Sequence, residues 1–203
     1  MVPIPSAGRS VRVAIDGVDG SGKSVFATEL AGVLRELGRS VVHVSADGFH
    51  QVREARYRRG SDSAEGFWLD SYDYRALAEN VLDPFGPGGS RRYREATHDV
   101  ATDQIVDLAW LEAPAETVLV VDGLFLHRDE LVAAWDFSVF LDVPFEVSVA
   151  RMAERDGSHP DPADPSLARY VGGQRLHFAA CAPQARATVV IDNSDLAHPF
   201  LRG

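Results

Sequence analysis

Short apolar runs and helical patterns alternate along the chain. Five apolar runs predict buried strands that begin near positions 11, 41, 117, 137 and 188. After the first run, apolar side chains recur at helical spacing over residues 25–37, which predicts a helix that ends at Gly38. Strands that alternate with helices favour crossover connections. The pattern therefore predicts an α/β fold, with one doubly wound, parallel sheet of five strands.

Two regions interrupt this alternation. Residues 86–112 hold short alternating segments, which predict a small hairpin insertion outside the main sheet. Residues 156–168 contain three prolines and predict a loop long enough to act as a lid. The residues after the fifth run are expected to form a tail. At 203 residues, the whole chain suits a single domain with these two additions.

A glycine-rich segment, GVDGSGKS, directly follows the first predicted strand. It matches the phosphate-binding P-loop pattern, in which glycines let backbone N–H groups approach a polyphosphate. A turn that binds nothing is the alternative, but the segment's lysine is the only one in the chain. We expect this segment and its neighbour to bind the polyphosphate of a nucleotide, ATP or GTP, through Gly17, Asp19, Gly20, Ser21, Gly22, Lys23, Ser24 and Val25. Lys23 would reach the β- and γ-phosphates, and the Ser24 hydroxyl would ligate Mg²⁺.

Acidic residues follow two of the predicted strands. Asp47 lies just after the run at 41–45, and Asp122 directly follows the run at 117–121. Because the carboxyl ends of parallel strands meet at one edge of the sheet, both carboxylates should face the P-loop. Asp47 is either a turn residue or a general base facing the γ-phosphate. Asp122 is either a turn residue or the Walker B acid that holds Mg²⁺, directly or through water.

A basic segment follows Asp47, with four arginines within residues 53–59. A solvated helix face is the favoured interpretation of this segment. Contact with phosphates is the alternative.

Composition narrows the classes of partner and location. The formal net charge of −10 argues against nucleic acid as a partner, because phosphate backbones require a basic surface. Cys181 is the only cysteine, so an intrachain disulfide or a cysteine-based zinc site is excluded. The amino terminus lacks the pattern of a secretory signal, and no apolar stretch approaches the length of a membrane span. We expect a cytoplasmic protein without a membrane partner. Either a monomer or a homo-oligomer is compatible with the sequence.

Several segments together resemble the uridine kinase group of P-loop kinases, which is also similar to phosphoribulokinase and bacterial pantothenate kinase. They include VAIDGVDGSGKS, SADGFH, RYRRG, DSYDY, PGGSRRYR, VLVVDGLFL, WDFSVFLDV and ARMAERD, and the resemblance spans about residues 11–195. It implies a three-layer P-loop NTPase fold with strand order 2-3-1-4-5. It also implies that Asp47 accepts the proton of the substrate hydroxyl. Arg151 and Arg155 would be lid arginines, and they would act in catalysis together with Lys23.

The resemblance also implies a set of substrate-binding residues: Asp47, Phe49, His50, Asp70, Tyr93, His98 and Arg169. Tyr93 and His98 keep the five-residue spacing of a base-recognising pair, which requires a bend between them because a regular strand would place them on opposite faces. A surface Tyr and His on the insertion is the alternative. Two departures stand out. Phe67 occupies the position of the family's ribose-binding Asp, and the 156–168 segment lacks the usual Arg-Gly-Arg cluster.

These features predict an ATP- and Mg²⁺-dependent kinase that phosphorylates a hydroxyl of a small metabolite, with a nucleoside as the leading acceptor. Pantothenate, a sugar or another alcohol is the nearby alternative. A different class is a non-catalytic or regulatory nucleotide-binding protein. A conventional GTPase is disfavoured, because its guanine-reading N-K-x-D motif needs a second lysine.

Overall fold

The computed structural model describes residues 9–202, which form ten strands and seven α-helices. The strands are β1 (Val11–Gly17), β2 (Val41–Ser45), β3 (Arg92–Tyr93), β4 (His98–Asp99), β5 (Gln104–Ile105), β6 (Leu111–Glu112), β7 (Val118–Asp122), β8 (Phe137–Asp142), β9 (Val189–Asp192) and β10 (Phe200–Arg202). The α-helices are α1 (Lys23–Glu36), α2 (Arg53–Arg56), α3 (Ala64–Asp70), α4 (Tyr74–Leu77), α5 (Phe145–Asp156), α6 (Ala168–Cys181) and α7 (Pro183–Arg186). The amino-terminal segment over which we expect no secretory signal lies mostly outside the described residues.

The main sheet has six strands in the order β2-β7-β1-β8-β9-β10. The first five are parallel, and their order is the one that the resemblance implies. The expectation of a tail after the fifth strand is wrong for β10, which pairs antiparallel with β9. The Arg202 side chain stabilises this pairing, since it forms ion pairs with Asp142 and Asp192. The fold is therefore α/β with a mostly parallel sheet and one antiparallel edge.

Apolar side chains on both faces of the sheet form the core. Along β7, Val118 and Val120 pack into the cluster under α1, whereas Leu119 and Val121 pack into the cluster on the opposite face. This alternation is the two-residue period of a strand that is buried on both sides. Helices therefore cover both faces, which gives the three-layer arrangement.

Two additions interrupt the succession of the main-sheet strands, residues 86–112 between β2 and β7 and residues 156–168 between β8 and β9. Residues 86–112 contain two short antiparallel ladders, β3 with β6 and β4 with β5. In the segment 156–168, Asp156 ends α5, and a 3₁₀ turn at Pro165–Leu167 leads into α6. Within residues 9–202, no helix is both long and apolar enough to cross a membrane.

The register of the parallel strands brings the chemistry together. Asp122 at the end of β7 lies level with Ile15 of β1 and Ser45 of β2. The chain leaves β1 into the P-loop and leaves β2 into the turn that carries Asp47. The P-loop and both strand-end carboxylates therefore lie at one edge of the sheet, as expected for a ligand site in this class of fold.

Candidate active site

The P-loop connects β1 to α1 with a backbone that two glycines permit. Gly20 and Gly22 have φ angles of 74° and 92°, a region that other residues rarely adopt. A Cβ atom on Gly20 would lie 2.3 Å from the carbonyl oxygen of Ser148. Any larger side chain at Gly20 would therefore push the loop away from α5.

Two distant side chains hold the P-loop backbone. The Gln174 side-chain oxygen accepts a hydrogen bond from the Asp19 N–H at 2.7 Å, and the Asn193 side-chain amide donates to the Ser21 carbonyl at 2.8 Å. Gln174 and Asn193 are 4% and 6% exposed. Sequence reasoning missed both residues, because they lie more than 150 positions from the motif that they support.

A buried carboxylate lies directly before the loop. Asp16 is 1% exposed and accepts hydrogen bonds from the Gly17 N–H at 2.7 Å and from the backbone N–H and Nδ1 of His127 at 3.0 and 2.8 Å. His177 Nε2 lies 3.7 Å from the same carboxylate. Burial acts to raise the pKa of Asp16, but the hydrogen bond from His127 and the proximity of His177 outweigh it and hold that pKa far below its ordinary value. Asp16 is therefore an anion that fixes the start of the P-loop.

A hydrogen bond connects the end of the P-loop segment to the end of β7. Ser24 Oγ donates to Asp122 Oδ2 at 2.6 Å, and His43 Nε2 lies 2.8 Å from Asp122 Oδ1. Lys23 Nζ donates to the Val18 carbonyl at 2.8 Å. His43 was not predicted as a site residue, because a lone histidine within an apolar strand gives no signal of its partner.

The pair of Ser24 and Asp122 suits a hard cation. A hydroxyl and a carboxylate oxygen 2.6 Å apart are ligand types that Mg²⁺ prefers. Across the described part of the chain, no cluster of three or more His, Cys, Asp or Glu residues could hold a metal ion. A Mg²⁺ ion at this pair would therefore complete its coordination with phosphate oxygens and water, as it usually does in phosphoryl-transfer sites.

Asp47 is oriented by two aromatic neighbours. The Tyr72 hydroxyl donates to Asp47 Oδ1 at 3.0 Å, and His50 Nδ1 donates to the Asp47 carbonyl at 2.9 Å. The His50 and Tyr72 rings stack with centroids 4.3 Å apart. Burial, reinforced by the charge of Asp47, raises the pKa of Tyr72 well above its ordinary value, so the phenol remains a donor. Burial also lowers the pKa of His50, which favours a neutral imidazole.

These groups line a cavity of about 540 Å³. Most of the predicted site residues lie in its wall, namely Asp19, Gly20, Gly22, Lys23, Ser24, Val25, Asp47, His50, Asp122, Arg151, Arg155 and Arg169. Phe67, Tyr57 and Tyr170 add an apolar part to the wall. The Phe67 ring packs edge-on against Phe125 at 5.4 Å and Tyr170 at 5.1 Å, so an aromatic surface stands where the family has a carboxylate.

Four of the expected substrate-binding residues lie outside this wall, and their own packing explains why. Phe49 is fully buried in the core, and Tyr93 packs on Phe85 with ring centroids 5.4 Å apart. Asp70 is buried in ion pairs with two arginines of the basic segment, and His98 lies 3.2 Å from Asp103 on the hairpin insertion. The structure therefore does not bring these side chains to the cavity.

The basic segment agrees only in part with its favoured interpretation as a solvated face, since Arg53, Arg58 and Arg59 are exposed whereas Arg56 is half-buried. Arg58 and Arg59 bind Asp70, the latter at 2.8 Å. Arg56 is only 11% exposed at its side chain, pairs with Asp103 at 3.1 Å and lines the cavity. The segment is therefore partly built into the acceptor side of the site.

Arg151 and Arg155, which the resemblance implies as lid arginines, both lie on α5 and differ in their contacts. Arg151 donates through Nη2 to the carbonyls of Asn193 and Ser194 at 2.9 and 2.7 Å. Arg155 pairs with Asp156 at 2.9 Å and is largely exposed. Both residues line the cavity.

Comparisons with known proteins agree with this geometry. The sequence model of the phosphoribulokinase/uridine kinase family matches residues 12–159. A curated thymidylate kinase of Bordetella petrii is 28% identical over 200 residues, which cover 90% of this chain and 86% of that protein.

Two solved structures share the fold over most of their length. One is described as a possible uridine kinase from Bacillus stearothermophilus, with a TM-score of 0.71, 24% identity and coverage of 92% of this chain and 90% of that one. The other is described as a candidate fructose transport system kinase from Silicibacter, with a TM-score of 0.68, 25% identity and coverage of 89% of each chain. These two structures agree with the fold described above. Because the family model matches most of its length, the chain belongs to the phosphoribulokinase/uridine kinase family of P-loop kinases.

Proposed function

We propose that the protein transfers the γ-phosphoryl group of ATP to a hydroxyl of a small metabolite, with Asp47 as the general base. The observation that carries this proposal is one shared cavity. Asp47 lines it together with Lys23 of the P-loop and the Ser24–Asp122 pair. Donor-binding groups and a base for the acceptor thus face the same space, which phosphoryl transfer requires.

Two groups are transferred in this reaction. The phosphoryl group passes from ATP to the acceptor, and a proton passes from the acceptor to Asp47. The hydroxyl oxygen of the acceptor forms a bond to the γ-phosphorus while the bond from that phosphorus to the β–γ bridging oxygen breaks and leaves ADP. The hydroxyl proton passes to Asp47, whose Oδ1 is bonded to Tyr72 and whose Oδ2 has no hydrogen-bond partner among residues 9–202. Lys23, Arg151 and Arg155 stabilise the charge on the transferred group. Mg²⁺, when held by Ser24 and Asp122, would neutralise phosphate charge.

The acceptor is the less defined half of the proposal. A nucleoside remains the leading acceptor that the resemblance implies. A non-nucleoside alcohol is the second candidate, and specific contacts favour it. Phe67 offers a ring where a ribose would need a carboxylate, Asp70 is already paired with Arg58 and Arg59, and Tyr93 and His98 lie outside the cavity wall.

The test is a screen of ADP release by the full-length protein with ATP and Mg²⁺. The acceptors are nucleosides, pantothenate, sugars and sugar phosphates. We expect release that depends on one class of acceptor, and we expect Asp47→Asn to lower kcat by about 10²- to 10⁴-fold with little change in ATP affinity. A protein that only binds nucleotide would release no acceptor-dependent ADP. Equal kcat for the Asn variant and the wild type would refute the role of Asp47.

A further inference from the structure

Arg169 is a buried cation in the wall of the cavity. It is the second residue of α6 and is 5% exposed. Its guanidinium lies 4.5 Å from the centre of the Tyr57 ring and 5.7 Å from that of Phe67. The same side chain borders an adjoining cavity of about 380 Å³. Arg169 therefore stands at the aromatic, acceptor side of the site.

The protein partners of Arg169 are all neutral. Its Nη2 donates to the Arg56 carbonyl at 2.8 Å, and its Nη1 donates to the carbonyls of Ser63 and Gly60 at 3.0 and 3.3 Å. Within the described ranges, no carboxylate forms an ion pair with it. Among residues 9–202, Arg128 is the other buried arginine, and it pairs with Glu130 at 2.7 Å. Buried charges are normally compensated by an opposite charge. Arg128 follows this rule and Arg169 does not.

Two carboxylates near this side of the cavity already form ion pairs with other arginines. Arg56 lies against the same Tyr57 ring at 5.6 Å, and its charge is matched by Asp103 at 3.1 Å. Asp70 is matched by two other arginines. The acceptor side therefore carries a positive charge that these neighbouring carboxylates do not neutralise.

The geometry of Arg169 also suits it to bind an anion. A guanidinium has five N–H donors, and three of them are used by the three carbonyls. Those bonds fix the group in place and leave two donors for a ligand. A fixed guanidinium with free donors is well suited to a carboxylate or a phosphate, because little side-chain entropy is lost on binding.

We propose, on the basis of the proposed kinase function, that the acceptor alcohol carries a negatively charged group and that Arg169 binds this group. The charged group is a carboxylate or a phosphate. Arg169 is then the residue that makes the enzyme select anionic alcohols over neutral ones. This narrows the acceptor beyond the class of small alcohols.

The experiment compares acceptors that differ only in the charged group. Pantothenate against pantothenyl alcohol tests a carboxylate, and uridine 3′-monophosphate against uridine tests a phosphate. For each pair, kcat/KM is measured with the full-length protein and saturating MgATP. We expect the anionic member of one pair to be preferred by at least about 10-fold, and the pair that shows it identifies the charged group. Equal kcat/KM within both pairs would overturn the inference even if the protein is an active kinase.

Variants of Arg169 separate anion binding from a structural role. Arg169→Gln should lower the preference for the anionic member to near unity, a loss on the order of 10- to 100-fold, and Arg169→Lys should keep part of it. The control is Arg175→Gln on the same helix, whose side chain is exposed and lies over Phe145 outside the cavity. It should keep the full preference. If Arg169→Gln reduces kcat/KM equally for both members of a pair, its role is structural and the inference is wrong.

Binding measured without turnover keeps this inference distinct from the proposed function. Calorimetry on the protein saturated with MgADP reports acceptor binding while the P-loop is occupied. Stronger binding of the anionic member, lost in Arg169→Gln, supports the inference even if no ADP is released, and in that case only the proposed function fails. Binding that does not differ between the members of either pair contradicts the inference.

Discussion

At the scale of single residues, Asp47 depends on the side chain of Tyr72 for its orientation. The phenol donates to one carboxylate oxygen of Asp47 at 3.0 Å and stacks on His50. A base that must receive a proton from a bound hydroxyl works best when its rotamer is fixed. Tyr72 is therefore a positioning residue that the sequence motifs did not reveal.

Tyr72→Phe should lower kcat by about 10-fold, because a hydrogen bond to a charged group is lost while the ring stays in place. The KM for ATP should not change, since Tyr72 has no contact with the P-loop among its described hydrogen bonds and ring contacts. Steady-state kinetics with the preferred acceptor measures both values. Tyr74→Phe is the matched control, because Tyr74 packs beside Tyr72 at 5.9 Å but lies outside the cavity wall. Unchanged kcat in Tyr72→Phe would show that Asp47 is held by other contacts.

Asp16 makes stability depend on pH in the acid range. Its pKa in the folded state is depressed, so below about pH 4 the unfolded chain binds a proton that the folded chain does not. The stabilisation from this carboxylate is thus present above pH 4 and is lost as the pH falls. Asp16→Asn should lower the free energy of unfolding at pH 7 by about 3 kcal/mol and flatten its acid dependence.

Denaturant unfolding at pH 7, and then at a series of pH values from about 4 down to about 2, measures both effects. Asp107→Asn serves as the control, because Asp107 is 87% exposed and its ion pair with Arg94 lies on the surface. It should change stability by no more than about 0.5 kcal/mol. An equally steep acid dependence in the wild type and in Asp16→Asn would show that Asp16 is not the titrating group.

At the scale of elements, α6 connects the two halves of the site. Arg169 near its start binds the carbonyls of residues 56, 60 and 63 on the acceptor side. Gln174 in the same helix binds the P-loop, and His177 approaches Asp16. A shift of α6 would therefore move the acceptor side and the donor side together.

Gln174→Ala tests the donor end of this connection. The Asp19 N–H would lose its acceptor, and we expect the Kd for MgATP to rise by about 10-fold. Calorimetric titration measures this value. Leu176→Ala is the control, since Leu176 is 40% exposed on the same helix and should leave the Kd unchanged. If Gln174→Ala also leaves the Kd unchanged, the P-loop does not depend on α6.

The elements also show which parts of the structure could be predicted from sequence. The five parallel strands and the P-loop have strong local signals, namely apolar runs and fixed glycine spacing. The edge strand β10 has only three residues, and its formation depends on pairing with β9 and on the ion pairs of Arg202. Such a short segment has no periodicity of its own, which is why a tail was expected there.

Side chains that support the site from a distance were beyond prediction for a related reason. His43, Gln174, His177 and Asn193 contact residues that are 79 to 172 positions away in the chain. Tyr93 and His98 show the reverse case, because their spacing fits a substrate-binding pair while their packing places them in the insertion. Local spacing therefore predicts the cavity-lining residues of the P-loop better than those of the expected substrate-binding set.

At the scale of the whole molecule, charge is distributed unevenly. The chain has a net charge of −10, but basic side chains outnumber acidic ones in the wall of the cavity. The basic ones are Lys23, Arg56, Arg151, Arg155 and Arg169, and the acidic ones are Asp19, Asp47 and Asp122. A cavity with this balance of charge favours the binding of polyphosphates and anionic acceptors, although the chain as a whole is acidic.

Transfer of the γ-phosphoryl group of ATP to an alcohol in this cavity can be followed through the group itself. ATP labelled at the γ-phosphate is incubated with the full-length protein, Mg²⁺ and the acceptor whose presence gives ADP release. The position of the label is then measured over time. We predict that the label appears in a phosphorylated organic product, and that Asp47→Asn slows its appearance by at least about 100-fold. Label that stays in ATP, or that appears only as inorganic phosphate, would contradict the claim.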